Sequence, residues 1–251
     1  KESLGGVCLN WGCIPTKALL KSAQVMEYLQ HAQEYGINVN GFSHDFPAVV
    51  KRSRGVADKM SKGIQFLMKK NKIDTIMGFG KLNAKKQVEV MGADGKTTTY
   101  DAKHVILATG GRARQLPTLP IDGKKVIGYR KAMTLKKQPK KIVIVGSGAI
   151  GVEFAYFYNS MGTEVTVVEY MPRIVPVEDA DVSKQLERSF KKSGIKVLTS
   201  TEVTSVDTSG DGVKAMIKTK KGEDVLQADM VLSAVGIKTN IENIGLEDVG
   251  I

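Results

Sequence analysis

The sequence predicts an α/β fold with a parallel sheet in its second half, and three observations carry that prediction. Strand and helix patterns alternate from Lys141 onward. A glycine loop, GSGAIG at 146–151, joins the first strand of that series to its first helix. Three strand patterns with turns at Gly210, Gly212 and Gly222 then follow as an antiparallel meander. Alternation demands crossover connections, and crossovers make a sheet parallel.

Taken in order, the first element is a helix beginning near Cys13. Ile14, Ala18, Val25, Met26 and Leu29 recur at helical spacing as far as Ala32, and Pro15 stands in the first turn, where its missing N–H does no harm. A second helical pattern covers Phe46–Asn71, with Val49, Val50, Val56, Met60, Ile64, Leu67 and Met68 on one side. Short strand patterns follow at 74–79, 87–91, 97–100 and 104–108, with Ala93-Asp94-Gly95 as a turn. The stretch RARQLPTLPIDG, with two prolines, reads as a connection between domains. Beyond it come strand 141–145, helix 150–160, strand 164–169, helix 182–193 and strand 196–198. The meander strands 202–207, 213–219 and 223–226 are next, and a last apolar strand, 230–234, ends at Val235-Gly236.

Composition excludes several classes. With 251 residues, 42% of them hydrophobic, the chain can bury a sizeable core. Its most apolar run, Ile142–Val152, is shorter than the roughly 20 residues of a membrane helix and is broken by three glycines, so no membrane span and no signal peptide are expected. The net charge of +11 invites a nucleic-acid reading. The lysines, however, fall in scattered pairs such as Lys69-Lys70 and Lys140-Lys141 with few aromatics among them, the pattern of a solvated surface. No nucleic-acid partner is expected.

The glycine loop has the context that a dinucleotide site requires: it follows the apolar strand KIVIV, opens a helix, and is followed by a carboxylate, Glu169, ending the next strand. Gly146 permits the tight turn, Gly148 lets a pyrophosphate approach the backbone, and Gly151 lets the helix pack on the sheet. Amides at the helix start, around Ile150, would receive the negative charge. A carboxylate at Glu169 would bond both adenosine ribose hydroxyls and repel a 2′-phosphate, which favours NAD over NADP. The plainer reading is a structural glycine turn with a surface carboxylate at a strand end.

Both cysteines, Cys8 and Cys13, fall in GGVCLNWGCIPTK. A zinc site would need more ligands, and His31, His44 and His104 show no paired spacing, so no metal is expected. Two inert buried thiols remain open, as does a redox disulfide. In a continuous helix residues five apart have α-carbons roughly 8 to 9 Å apart, beyond the about 4.4 to 6.8 Å that a disulfide needs. Cys8 is therefore expected before the helix proper, on a segment loosened by Gly5, Gly6 and Gly12. Cys13 would sit at the helix N-terminus, where the dipole and free amides favour a thiolate.

These segments together resemble the pyridine nucleotide-disulfide oxidoreductases, and GGVCLNWGCIPTK resembles the active-site segment of the family's dihydrolipoamide dehydrogenase branch. HVILATG at 104–110 resembles its second flavin-domain signature and IVIVGSGAIGVEFA its nicotinamide fingerprint. The resemblance implies two Rossmann-like dinucleotide-binding domains: an incomplete FAD domain over 1–117, an NAD domain over 118–238, and a return toward the first from 239 to 251. It implies FAD and NAD as cofactors. Cys8 would be the interchange thiol and Cys13 the thiol beside the flavin, with Lys17 near the flavin and paired to Glu153. Thr109, Gly110 and Gly236 join the cofactor-binding set.

The implied activity is oxidation of dihydrolipoamide with hydride transfer to NAD+. The implied partners are the lipoyl-bearing subunit of a 2-oxoacid dehydrogenase or glycine cleavage complex and a second copy in a homodimer, with the cytoplasm as the default setting. Glutathione reductases would carry basic residues where this chain has Glu169-Tyr170, and mercuric reductases share the thiol segment. The alternative outside the family's chemistry is an NAD-binding module without redox function. The chain opens at Lys1 without methionine, and the family's first glycine fingerprint, a later Gly-Asp motif and the C-terminal interface domain with its base histidine are not in it. A piece of a longer protein is expected, one that does not turn over lipoamide by itself.

Overall fold

The computed structural model describes residues 3–251. Two helices, α1 (Gly6–Trp11) and α2 (Cys13–Gln30), open the chain, and α2 runs through a short 3-10 turn at Ala32–Tyr35. Helix α3 (Phe46–Lys70) begins at Asp45, whose carboxylate accepts from the Ala48 amide at 3.0 Å, with Pro47 in the first turn. An antiparallel sheet follows, of β1 (Phe79–Leu82), β2 (Val88–Met91) and β3 (Thr97–Tyr100).

After β4 (Gly111–Ala113), β5 (Val126–Ile127) and α4 (Tyr129–Ala132) comes the alternating region. It consists of β6 (Lys141–Val145), α5 (Ala149–Ser160), β7 (Glu164–Val168), α6 (Ala180–Lys192) and β8 (Lys196–Leu198). The meander is β9 (Glu202–Asp207), β10 (Val213–Thr219) and β11 (Gly222–Ala228), and the chain closes with β12 (Met230–Ser233) and β13 (Ile237–Thr239).

Five strands form the parallel sheet in the order β5-β12-β6-β7-β8. Chain order reverses between β6 and β12, and ligands of such sheets bind in the crevice beyond the strand ends at that reversal. Apolar side chains on both faces explain the near-continuous run IVIV in β6: Ile142 and Ile144 belong to the core shared with the helices, Val143 and Val145 to the core under the meander. The first core crosses from one half of the chain to the other. Leu19, Ala23 and Met26 of α2 and Phe46 and Val50 of α3 pack with Phe154, Phe157 and Tyr158 of α5. Phe46 lies 6.0 Å from Phe157 and 6.3 Å from Tyr158, ring centre to ring centre. The buried Tyr158 hydroxyl donates to the Ala132 carbonyl at 2.7 Å, and burial pushes its pKa far up.

Cys8 precedes α2 as expected, and the segment that carries it is itself helical, the six-residue α1 that Gly12 disconnects from α2. The structure corrects other expectations. The strand expected at 74–79 contributes only Phe79 to β1, and none of 104–108 joins a strand. Those runs have strand-like side chains but make no ladder with any described residue. Strands β4 and β13, which periodicity did not reveal, pair antiparallel as Gly111 with Thr239 through Ala113 with Ile237, where the chain crosses between its halves. Among the described residues no helix is long and apolar enough to cross a membrane.

Candidate functional site

The thiol segment is built around close backbone approach. A Cβ at Gly12 would stand 3.1 Å from the Val7 carbonyl oxygen and 3.2 Å from the Cys8 α-carbon, so only glycine lets the chain fold back there unhindered. That fold brings the α-carbons of Cys8 and Cys13 to 4.8 Å, and the two sulfurs are bonded as a disulfide. Both cysteines are exposed. Cys13 is the first residue of α2, whose first-turn amides have no partners within the helix.

Groups on α1 itself, on α3 and on α4 hold this segment. The buried Asn10 side chain donates to the Leu4 and Gly6 carbonyls, each at 2.9 Å, and the Asn10 carbonyl accepts from Arg54 Nη1 at 2.6 Å. Burial lowers the Arg54 pKa from its ordinary value, opposed by nearby Asp58, and a guanidinium stays charged regardless. Trp11, the only tryptophan, has the Arg54 guanidinium carbon 4.2 Å and that of Arg130 5.1 Å from its ring centre.

One turn into α2, Lys17 donates to the Glu153 carboxylate on α5. The pair is partly exposed, so its value to stability is at most about 1 kcal/mol; what it does is join the thiol helix to the helix of the glycine loop. An open depression beside it is lined by Lys17, Leu20, Lys21, Gln24 and Tyr156. Burial, helped by the negative charge of Glu27, raises the Tyr156 pKa.

The glycine loop is packed as tightly as its sequence implies. A Cβ at Gly151 would fall 2.0 Å from the Gly146 carbonyl oxygen, and one at Gly146 would fall 2.5 Å from the Ala234 carbonyl. Nothing stands within 4 Å of a Cβ at Gly148, which leaves its backbone open to a ligand. Gly148 caps α5 without a side-chain bond, so the first-turn amides of Ala149, Ile150 and Gly151 are available. Gly236, on the far side of the crevice, accepts from the Arg114 amide at 3.0 Å.

Glu169 is brought to this loop in a way the motif alone did not show. It is buried, and one oxygen accepts from the Ser147 amide at 2.8 Å and hydroxyl at 2.6 Å while the other accepts from the Met171 amide at 2.8 Å. Three of the roughly four acceptor positions of a carboxylate are therefore in use. Ser147, which sequence reasoning passed over, sits between two motif glycines, and its burial was the missing signal.

Thr109 and Gly110 stand elsewhere, against the thiol segment. A Cβ on Gly110 would lie 3.8 Å from Val7. The Thr109 carbonyl accepts from Asn240 Nδ2 at 3.2 Å and the Gly110 carbonyl from the Asn240 amide at 3.0 Å. The structure thus gathers the predicted residues into two groups, thiols with Lys17, Gly110 and Glu153, and glycine loop with Glu169, bridged by α5.

The family model for pyridine nucleotide-disulphide oxidoreductases matches residues 2–251. The chain belongs to that family. It is 44% identical over 268 residues to a dihydrolipoyl dehydrogenase of Rhizobium etli, covering 100% of this chain and 56% of the relative. It is 43% identical over 249 residues to one of Zymomonas mobilis, covering 99% and 53%. The solved structure of LpdA from Mycobacterium tuberculosis superposes with a TM-score of 0.91 at 29% identity, over 100% of this chain and 54% of that one. The chain spans about half the length of the curated relatives it matches. This chain has a disulfide that bridges α1 and α2 and, tied to it through Lys17 and Glu153, the helix that follows the glycine loop.

Proposed function

We propose that this chain carries the thiol and nicotinamide-binding machinery of a dihydrolipoyl dehydrogenase. One observation carries the reading: the exposed Cys8–Cys13 disulfide at the start of a helix that is tied through Lys17 and Glu153 to the glycine-loop helix. Kinship to bacterial dihydrolipoyl dehydrogenases over the whole chain supports the substrate.

The residues present fit both cofactors that the family implies. For NAD, the open backbone at Gly148 and the free amides of Ala149–Gly151 receive a pyrophosphate, and the fourth acceptor position of Glu169 receives a ribose hydroxyl. For FAD, the exposed Cys13 and Lys17 and the Thr109-Gly110 backbone, which stands against Val7 of the thiol segment, are the groups that would meet the flavin. FAD bound there would take up the electron pair of the reduced thiols and deliver it as hydride to NAD+.

The chain's own chemistry is thiol–disulfide exchange. A dihydrolipoamide thiolate attacks the Cys8 sulfur, the Cys8–Cys13 bond breaks, and Cys13 leaves as a thiolate favoured by the α2 amides. The second lipoyl thiol then displaces Cys8 from the mixed disulfide, giving lipoamide and two protein thiols with two electrons and two protons transferred. Lys17 places a positive charge one turn from Cys13, and Glu153 holds it there. The proposal includes the lipoyl-bearing subunit of a 2-oxoacid dehydrogenase or glycine cleavage complex as partner, a homodimeric whole enzyme, and a cytoplasmic setting.

The test is stoichiometric. Mixing the oxidised chain with dihydrolipoamide should release one lipoamide and expose two protein thiols, and Cys8→Ser or Cys13→Ser should abolish both. A wild-type chain that yields neither overturns the reading and leaves a nucleotide-binding module.

A further inference from the structure

We infer that Arg54 and Arg130 are positioning residues for the disulfide, acting through Trp11 to hold α1 where Cys8 meets Cys13. The inference rests on the redox reading of the thiols.

Trp11 is the last residue of α1 and is separated from Cys13 only by Gly12. Its position therefore sets the angle at which the helix carrying Cys8 returns to α2. Gly12 permits the close return past Val7 and Cys8 but has no side chain with which to hold Trp11, so contacts from other elements steady that angle. Asn10 closes the entry to α1 through the Leu4 and Gly6 carbonyls but does not reach α2. The two arginines do what the loop lacks. Arg54 comes from α3, lies 4.2 Å from the Trp11 ring centre, and also donates to the Asn10 carbonyl at 2.6 Å, so one guanidinium fixes both the ring and the backbone beside it. Arg130 comes from α4, in the half that holds the parallel sheet, and lies 5.1 Å from the same ring centre. Indole is the best of the aromatic rings for a cation and the attraction grows as water is excluded, and both arginines here are half-buried.

The consequence is an equilibrium. Holding α1 in place raises the effective concentration of one thiol at the other, which favours the closed disulfide over the dithiol. Removing the ring or a guanidinium releases α1 and makes the disulfide easier to reduce. A purely electrostatic role predicts the opposite sign, because losing a cation disfavours thiolates and hence the reduced state.

The experiment equilibrates the full chain with glutathione and its disulfide. Two glutathione thiols supply the electrons and protons that turn the protein disulfide into two thiols, and the glutathione is oxidised to its disulfide. The mixture is quenched with acid and alkylated, and the two states are counted by mass; Trp11 emission gives a second readout in variants that retain it. Trp11→Leu and Arg54→Ala should each shift the equilibrium toward dithiol by roughly three- to tenfold, with Arg130→Ala smaller. Combining Trp11→Leu with Arg54→Ala should add little to either alone, and Arg54→Lys should recover part of the loss. Lys191→Ala, at an exposed position of α6, should change nothing, and circular dichroism confirms which variants are folded. If Arg54→Ala does not fold, Arg130→Ala and Trp11→Leu carry the test. Unchanged equilibria, or a shift toward disulfide in the arginine variants, overturn the inference while leaving the thiol chemistry intact. A wild-type pair that never exchanges with glutathione overturns the redox reading itself and the inference with it.

Discussion

Two apolar runs of similar composition meet opposite fates in this molecule. Ile142–Val145 is a central strand with Ile144 fully buried, whereas in 104–108 Ile106 is 91% exposed and no strand forms. Side-chain character does not separate them. The first run has β7 on one side and β12 on the other, and each supplies the ladder that satisfies its backbone; the second has no such neighbour among the described residues. Being a strand is thus a relation between segments, and β-propensity records only how well a side chain suits the relation once it exists.

The sharpest way to break this comparison is to truncate both runs. Ile144→Ala should cost about 2–5 kcal/mol of unfolding free energy in urea titration, the range for large-to-small changes in a packed core. A smaller loss is expected for Gly151→Ala, about 1–3 kcal/mol from overpacking against the Gly146 carbonyl. On the proposed reading that variant should also weaken NADH binding at least about tenfold, since the packing it disturbs shapes the loop that would receive the pyrophosphate; fluorescence titration reads it. A third variant asks whether the N-terminal half is ordered apart from its unpaired runs. Asp45→Ala, which removes the cap of α3, should cost roughly 1 kcal/mol in the same urea titration. The counterpart of Ile144→Ala is Ile106→Ala, expected within about 0.5 kcal/mol of wild type; a large loss there would mean that the run is buried in solution and that the contrast is false.

The smallest effect concerns the crossing between the halves. Arg112 donates to both Glu242 oxygens, at 2.7 and 3.0 Å, and with Lys238 holds the Glu242 carboxyl far below the usual carboxylate range. Because the folded pKa is depressed, whatever this pair contributes is present above the ordinary glutamate pKa and is lost as pH falls through the lowered one. Carboxyl-carbon NMR should therefore show Glu242 still ionised where exposed glutamates have titrated. Arg112→Gln should move it back toward them.

Much of the second half was legible because its elements are local and periodic. Lys141–Val145, Lys196–Leu198, Glu202–Asp207 and Val213–Thr219 end where their alternation ends. Strand β5, two residues long, and strands β4 and β13 are too short to show a period; only their partners make them strands. In the site, the cysteine spacing and the glycine triplet were readable because each demands a specific backbone path. Asn10, Ser147, Arg54 and Arg130 were not, since a polar residue declares its role only through what it touches.

By itself the sequence determined the chemistry available: two thiols at a helix start, a glycine loop between strand and helix, a carboxylate ending the next strand. These are properties of neighbouring residues, set by glycine's missing side chain and by unpaired amides at helix ends. Tertiary structure alone decided which apolar runs became strands, that Cys8 rides a helix of its own, and that the Glu169 carboxylate turns inward to Ser147. Each of those outcomes depends on hydrogen bonds and contacts between segments distant in the chain, and no local pattern encodes the partner.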